Sequence, residues 1–254
     1  MKFSRYIGID YSGAKTADSR LPALQVYAAS RDGEPSRVGP PAGARHWTRR
    51  EVAHYCREVL MADPPVIIGL DHGFSFPLGY MQRFRIASWN AFLRDFVRHW
   101  PTTDPQITVE ALRADNPRYG QASELRLCEA WTATAKSVFL FDVQGAVAKS
   151  THAGVPWLYW LSSSAEVRAR VHFWPFDGFA VPAGKSVVAE AYPSLYRRRF
   201  EKGGRNADEQ DAWSVAAWLQ AADRRGSLAR YFEPPLTAGE QRQALLEGWI
   251  LGVW

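Results

Sequence analysis

The sequence predicts an α/β domain, a mixed sheet flanked by helices, on three observations. Two short β-branched runs, YIGID at 6–10 and VIIGLD at 66–71, each end on an aspartate, as buried strands end where the chain leaves a core. Between and beyond them lie segments with helical periodicity and recognisable start and stop signals. The chain is 254 residues long and 46% hydrophobic, enough for one large domain, and no shift in composition marks a linker. Residues 1–254 are therefore read as a single domain, with 72–185 as a long, mostly helical insertion.

The elements follow in order. Residues 3–10 form the first strand and LQVYAAS, 24–30, the second. VGPPAGAR, 38–45, marks a turn or hairpin return. Thr48 reads as an N-cap and Glu51 completes a capping box; the helix runs through VAHYCREVLMA and stops before Pro64 and Pro65. VIIGLD is then a buried strand. In the insertion FSFPLGYMQRF reads as loop. Ser88 caps a helix over WNAFLRDFVRHW, and ELRLCEAWTATA and HAGVPWLYWLSSSAEVRA are helix-like. SVVAEAY, 186–192, returns to the sheet. PSLYRRRF is a short helix with Pro193 at its start. In NADEQDAWSVAAWLQAADRRG, Asn206 is the N-cap, acids fill the first turn, Arg224 and Arg225 the last, and Gly226 closes the helix. TAGEQRQALLEGWILG is the final helix.

Charge and cysteine content narrow the function. Thirty-one basic against 26 acidic side chains give +5, a mild preference for an anionic partner. Cys56 and Cys128 lie far apart with no CxxC pair, which reads as reduced thiols and a cytoplasmic setting. MKFSRYIGID leads straight into a strand, so no signal peptide is expected, and no apolar run approaches the ~20 residues that span a bilayer. Most of the 11 tryptophans are read as packing mass.

The acids carry the chemistry. Side chains alternate along a strand, so Asp10 shares a face with Gly8 and Asp71 with Gly69; each acid has a missing side chain behind it. On parallel neighbouring strands the two would stand together at the sheet edge where α/β proteins bind ligands. Glu190 ends the run SVVAE. Asp208 and Asp211, three apart on a helix, sit at the head of a stripe continued by Ala212, Val215, Leu219 and Ala222. Singly, each acid could serve a turn or a helix dipole. Together they repel one another and resist burial, and a divalent cation relieves both.

These motifs resemble a known family. IGIDYSG on the first strand, IIGLD on a later one and DEQDAWSVAAWL on the closing helix are similar to the ribonuclease H-like superfamily, with the Asp-x-x-Asp-Ala helix of its Holliday-junction resolvase branch. Over nearly the full length the chain resembles a bacterial family, domain of unknown function 429, whose members are predicted nucleases. The shared features are Asp10, Asp71 followed by Phe76-Pro77, EAYPSLY, DEQDA and EGWILGV; His72 after Asp71, and Tyr192 where histidine is usual, depart from the pattern. The resemblance implies a five-stranded mixed sheet with helices on both sides. It also implies Mg²⁺ or Mn²⁺ held by Asp10, Asp71 and Asp211, with Asp208 or Glu190 as the fourth ligand. Asp10 would bridge two ions in a two-metal phosphodiester hydrolysis of DNA, RNA or a nucleotide.

Basic and hydroxyl side chains supply the expected substrate contacts. Arg197, Arg198 and Arg205 belong to the densest basic cluster, between Glu190 and Asp208, and are read with Ser12 and Lys149 as phosphate contacts. GAVAKST, 145–151, lacks both glycines of a phosphate loop, Ser12 lacks a GxSxG context, and the histidines show no zinc spacing. Arg126 and Glu129 read as an i,i+3 ion pair. Two alternatives stay open: an ATP-dependent phosphotransferase of the actin-like or sugar-kinase-like type, whose first loop DYSGAK approximates, and a catalytically silent nucleic-acid-binding module.

Overall fold

The computed structural model describes residues 2–41, 43–132, 134–143 and 145–254. Six strands form one mixed sheet: β1 (Arg5–Asp10), β2 (Gln25–Ser30), β3 (Ser36–Arg37), β4 (Val66–Asp71), β5 (Val171–Trp174) and β6 (Ser186–Glu190), in the order β3-β2-β1-β4-β6-β5. β1, β2 and β3 run as an antiparallel meander; β4, β6 and β5 continue parallel to β1.

Among the described residues ten α-helices surround the sheet. They are α1 (Arg49–Met61), α2 (Leu78–Arg83), α3 (Trp89–His99), α4 (Val109–Arg113), α5 (Leu127–Trp131), α6 (Ala148–Ser162), α7 (Ala165–Arg170), α8 (Ala207–Arg224), α9 (Leu228–Tyr231) and α10 (Ala238–Glu247). The expected caps are present. Thr48 and Glu51 form a capping box on α1, Ser88 caps α3, and Asn206 with Glu209 caps α8. Gly226 ends α8 with a φ of +70°, a conformation that only glycine adopts without strain.

The sheet divides two cores. On one face Ile7, Ile9, Ile68, Leu70 and Val188 meet α1, α3 and α6. On the other Tyr6, Ile67, Val187 and Ala189 meet Val215, Trp218 and Leu219 of α8 and the closing Trp249–Leu251 segment. The alternation read from YIGID and VIIGLD is the cause: odd and even positions feed different cores. Trp47, Trp100, Trp174 and Trp249 are fully buried, as packing mass should be.

Several expectations are corrected. The sheet has six strands, because VHFW at 171–174, inside the expected insertion, pairs with β6 as an edge strand. Residues 72–170 are what project between strands. Fewer than half of residues 72–185 are helical; prolines at 101, 105 and 117 and glycine at 120 interrupt the stretch. ELRLCEAWTATA yields only α5 before Thr132 turns extended. Its Ala133, and Ala42 of the VGPPAGAR turn, lie outside the described residues. PSLYRRRF forms two successive 3₁₀ turns, Pro193–Leu195 and Arg197–Arg199, rather than one α-helix.

Candidate active site at the carboxyl edge of the sheet

Asp10 and Asp71 are register partners on adjacent parallel strands. Each is the last residue of its strand, so both carboxylates leave the sheet at the same edge and on the same face. Gly8 and Gly69, also register partners, lie one step behind them. A Cβ on Gly8 would fall 2.1 Å from the Ala212 carbonyl oxygen and 2.7 Å from the Ala216 nitrogen; on Gly69 it would fall 2.6 Å from a Val215 methyl. The two glycines thus let the backbone of α8 lie directly on β1. Asp208 and Asp211, in the first turns of α8, are thereby carried over the strand ends. Asp10, Asp71, Asp208 and Asp211 line one open cleft of about 280 Å³ with Arg197, Ser150 and Ser194.

The loops beyond the two strand ends are fastened. Arg49, fully buried, donates from its guanidinium to the carbonyls of Ser12 (3.1 Å), Ala14 (2.6 Å) and Lys15 (3.0 Å). The Gly73 N–H donates to Thr151 Oγ1 (2.9 Å), and the Phe74 N–H to Glu190 Oε2 (3.0 Å). Arg49 was not foreseen as part of this frame; its place beside the Thr48 cap was the one local signal.

The electrostatics set these acids apart. Burial first, then the charges of Asp71, Asp208 and Asp211, push the Asp10 carboxyl well above the usual carboxylate range. Burial, then Asp211 and Glu190, do the same to Asp71. Asp208 is raised by burial and by Asp211. Asp211 is raised by burial, against the opposing pull of Arg197. Arg197 donates to both Asp211 oxygens, at 3.2 and 2.8 Å, and its charge also opposes the shifts at Asp10 and Asp71. Three of the four carboxylates, Asp10, Asp71 and Asp211, therefore share the Arg197 guanidinium.

Glu190 is not part of this group. It is the register partner of Leu70, one residue out of step with Asp71, so it points to the opposite face of the sheet. There it takes a bidentate pair of hydrogen bonds from Arg126, at 2.7 and 2.6 Å. Arg126 also donates to Glu129 at 2.9 Å, and all three side chains are buried. The expected i,i+3 pair is thus one half of a triad, and the expected role of Glu190 as a fourth ligand is replaced by a structural one. This triad forms the far wall of a second cavity of about 310 Å³, which shares Asp71, Tyr192, Ser194 and Arg197 with the acidic cleft.

The expected phosphate contacts divide. Arg197 stands in the cleft and Arg198 is exposed on the same turn. Lys149 is drawn into an ion pair with Glu110 at 2.7 Å, away from the acids. Arg205 donates to Gln210 at 2.7 Å and lies over the Trp213 ring, so it braces the start of α8. Ser12 faces its own loop, accepting from the Ala14 N–H at 3.4 Å. His72 is buried, bonded through Nδ1 to the Gly73 carbonyl, and desolvation lowers its pKa to about 4, so it is neutral at physiological pH.

Among the described residues no group of three histidine, cysteine, aspartate or glutamate side chains is arranged so that it could hold a metal ion. The donor chemistry nevertheless suits a hard divalent ion: the cleft offers only carboxylate oxygens as charged ligands, they are short of positive charge, and a guanidinium occupies one of them. No helix among the described residues is long and apolar enough to cross a membrane. Compared with protein-family models, with curated proteins and with solved structures, the chain shows no significant match.

Proposed function

We propose that the chain is a divalent-cation-dependent phosphodiester hydrolase acting on nucleic acid, built on a ribonuclease H-like domain of the domain of unknown function 429 kind. One observation carries this reading: Asp10 and Asp71 are paired at the carboxyl edge of adjacent parallel strands, with Asp208 and Asp211 brought over them by a helix that lies on Gly8. The antiparallel β1–β2–β3 meander continued by parallel β4 and β6 also supports the ribonuclease H-like assignment.

In this reading Asp10, Asp71 and Asp211 hold the cations and Asp208 completes the set. Mg²⁺ or Mn²⁺ ions, when bound, supply positive charge that neutralises the acids and polarises the scissile phosphate and the attacking water. Arg197 then grips a phosphate oxygen of the strand, Ser150 and Ser194 offer hydroxyls along the same wall, and Arg198 attracts the flanking backbone. The floor of β1 and β4 and the fastened loops beyond them hold Asp10 and Asp71 in fixed register, which limits the reorganisation needed at reaction.

The test is cleavage of a panel of single- and double-stranded DNA and RNA with Mg²⁺ or Mn²⁺, for the wild type and for Asp10→Asn. Cation-dependent cleavage by the wild type alone is expected. Equal cleavage by both proteins would trace the activity to a contaminant and remove the reading.

A further inference from the structure

The second cavity opens beside the acidic cleft. It holds about 310 Å³ and shares Asp71, Tyr192, Ser194 and Arg197 with the cleft, so the two spaces meet where β4 ends. That volume exceeds the needs of a phosphate and falls at the lower end of the roughly 300–1,000 Å³ of small-molecule pockets. Charge points the same way. Among the described residues that line it, the cations Arg126, Lys136 and Arg197 are balanced by Asp71, Glu129 and Glu190. The Arg126 guanidinium is, moreover, already bonded to Glu129 and Glu190. A phosphate finds no surplus of positive charge there. Val147, Ala191 and Ile250 add apolar wall. A neutral, flat group with a polar edge suits this mixture, and in a nucleic acid that group is the base.

Tyr192 stands at the junction. It is half-buried and lines both spaces, and its hydroxyl donates to the Thr134 carbonyl at 3.0 Å, which holds the far end of the ring. Aromatic rings carry unstacked bases in single-strand binding proteins, because every base has a π-face. We propose that the second cavity takes one unstacked nucleobase, with Tyr192 as its stacking platform, while the adjoining phosphate stays in the cleft beside Asp71 and Arg197. The substrate class is then a strand with an unpaired nucleotide, since a paired base must first be pulled from its own stack. The inference rests on the nucleic-acid reading given above.

Binding of fluorescein-labelled strands to the full chain, followed by anisotropy with Ca²⁺ present, tests it. The probes are a short single strand of mixed sequence, a strand of the same length whose sugars carry no bases, and the duplex of the first with its complement. Wild type should bind the single strand about 10-fold tighter than the base-free strand, the scale of one base stacked on an aromatic ring. Tyr192→Ala should erase that difference by weakening the single strand alone, and Tyr192→Phe, which keeps the ring, should preserve it. Ala135→Trp fills the cavity from a position that does not line the cleft. It should act as Tyr192→Ala does, and it carries the test if Tyr192→Ala does not fold. Equal binding of the two single strands by wild type overturns the proposal and leaves the hydrolase reading to its own cleavage test. Tyr192→Ala weakening the base-free strand or the duplex as much as the single strand also overturns it, because the tyrosine would then brace the cleft wall or serve a paired substrate. A wild type that binds none of the three probes removes the nucleic-acid reading and this inference together.

Discussion

Asp71 and Glu190 end neighbouring parallel strands, and each has other acids beside it, yet their surroundings differ in kind. Glu190 and Glu129 close on Arg126, each guanidinium nitrogen of the arginine donates to one of them, and Glu190 also receives the Phe74 N–H. Among Asp71, Asp10, Asp208 and Asp211, the ion pair is that of Asp211 with the partly exposed Arg197. The first group carries its own counter-charge, and the second, in the reading proposed above, takes one from outside. The difference comes from a single step of strand register: Glu190 pairs with Leu70 and meets Arg126, whereas Asp71 pairs with Asp10 and faces α8. Acids alike in a sequence become framework or site according to whether the fold brings an arginine to them.

The largest effect should come from breaking the self-sufficient group. Arg126→Met leaves Glu129 and Glu190 buried without their cation, and removing one member of such a set costs about 3–5 kcal/mol. Urea unfolding should show that loss in full, and replacing Glu129 and Glu190 by methionine in the same chain should recover part of it, because an apolar trio has no charge to strand. A loss below about 1 kcal/mol for Arg126→Met, the scale of an exposed pair, would erase the contrast between the two groups.

Next in size is the contact that creates the second group. Gly8→Ala places a methyl on the backbone of α8 at Ala212 and Ala216, and backbone cannot rotate aside. Overpacking of this sort costs about 1–3 kcal/mol or more. The helix should shift away from β1 and carry Asp208 and Asp211 with it, so Mn²⁺ affinity should fall along with stability. Loss of stability with unchanged Mn²⁺ binding would mean that close seating of α8 is not what assembles the acids.

Much of this was legible in the sequence. The Gly-x-Asp spacing on two strands told which face α8 would take, and the Asn206 and Glu209 cap told where Asp208 and Asp211 would start. What stayed hidden was pairing across long separations. VHFW is too short and too aromatic to distinguish from a helix end until β6 is there to pair with it. The register that sends Glu190 away from Asp71 is a property of two strands, and the bond from Arg126 spans 64 residues. Lys149 and Arg205 looked like free cations because Glu110 and Trp213 lie elsewhere in the chain.

Asp71→Asn should act in the opposite direction from Arg126→Met. Asp10 and Asp71 have carboxyls raised above their unfolded range, so the folded chain binds more protons than the unfolded chain. Without a cation, stability therefore falls as pH rises from about 4, where an unfolded aspartate titrates, towards the raised folded values. Neutral asparagine removes part of that slope. His72, lowered to about 4, contributes the reverse slope, losing stability as pH falls below about 6.5, and is common to both proteins. At neutral pH Asp71→Asn should melt higher than wild type, by roughly 2–4 °C for each kcal/mol of repulsion relieved, and should lose Mn²⁺ binding. A lower melting temperature at neutral pH would show that Asp71 is a neutralised framework acid after all.

The smallest effect is the most discriminating, because it asks what Arg197 does for the acids that lack a cation. Its side chain is 42% exposed, and exposed pairs contribute at most about 1 kcal/mol, so Arg197→Ala should barely change stability. Its guanidinium nevertheless occupies both oxygens of Asp211, an expected cation ligand. A divalent ion must displace it, and its positive charge opposes any second cation in the cleft. Arg197→Ala should therefore bind Mn²⁺ more tightly in the absence of nucleic acid, by up to about 5-fold, the equivalent of 1 kcal/mol. The same variant should bind a single-stranded oligonucleotide more weakly and with a shallower dependence on salt, since one phosphate contact is gone. Opposite changes in the two affinities are the signature of an arginine that holds the place of a metal and then transfers to phosphate. Parallel weakening of both would instead make Arg197 a brace for Asp211, the role Arg126 plays for Glu190 on the other face.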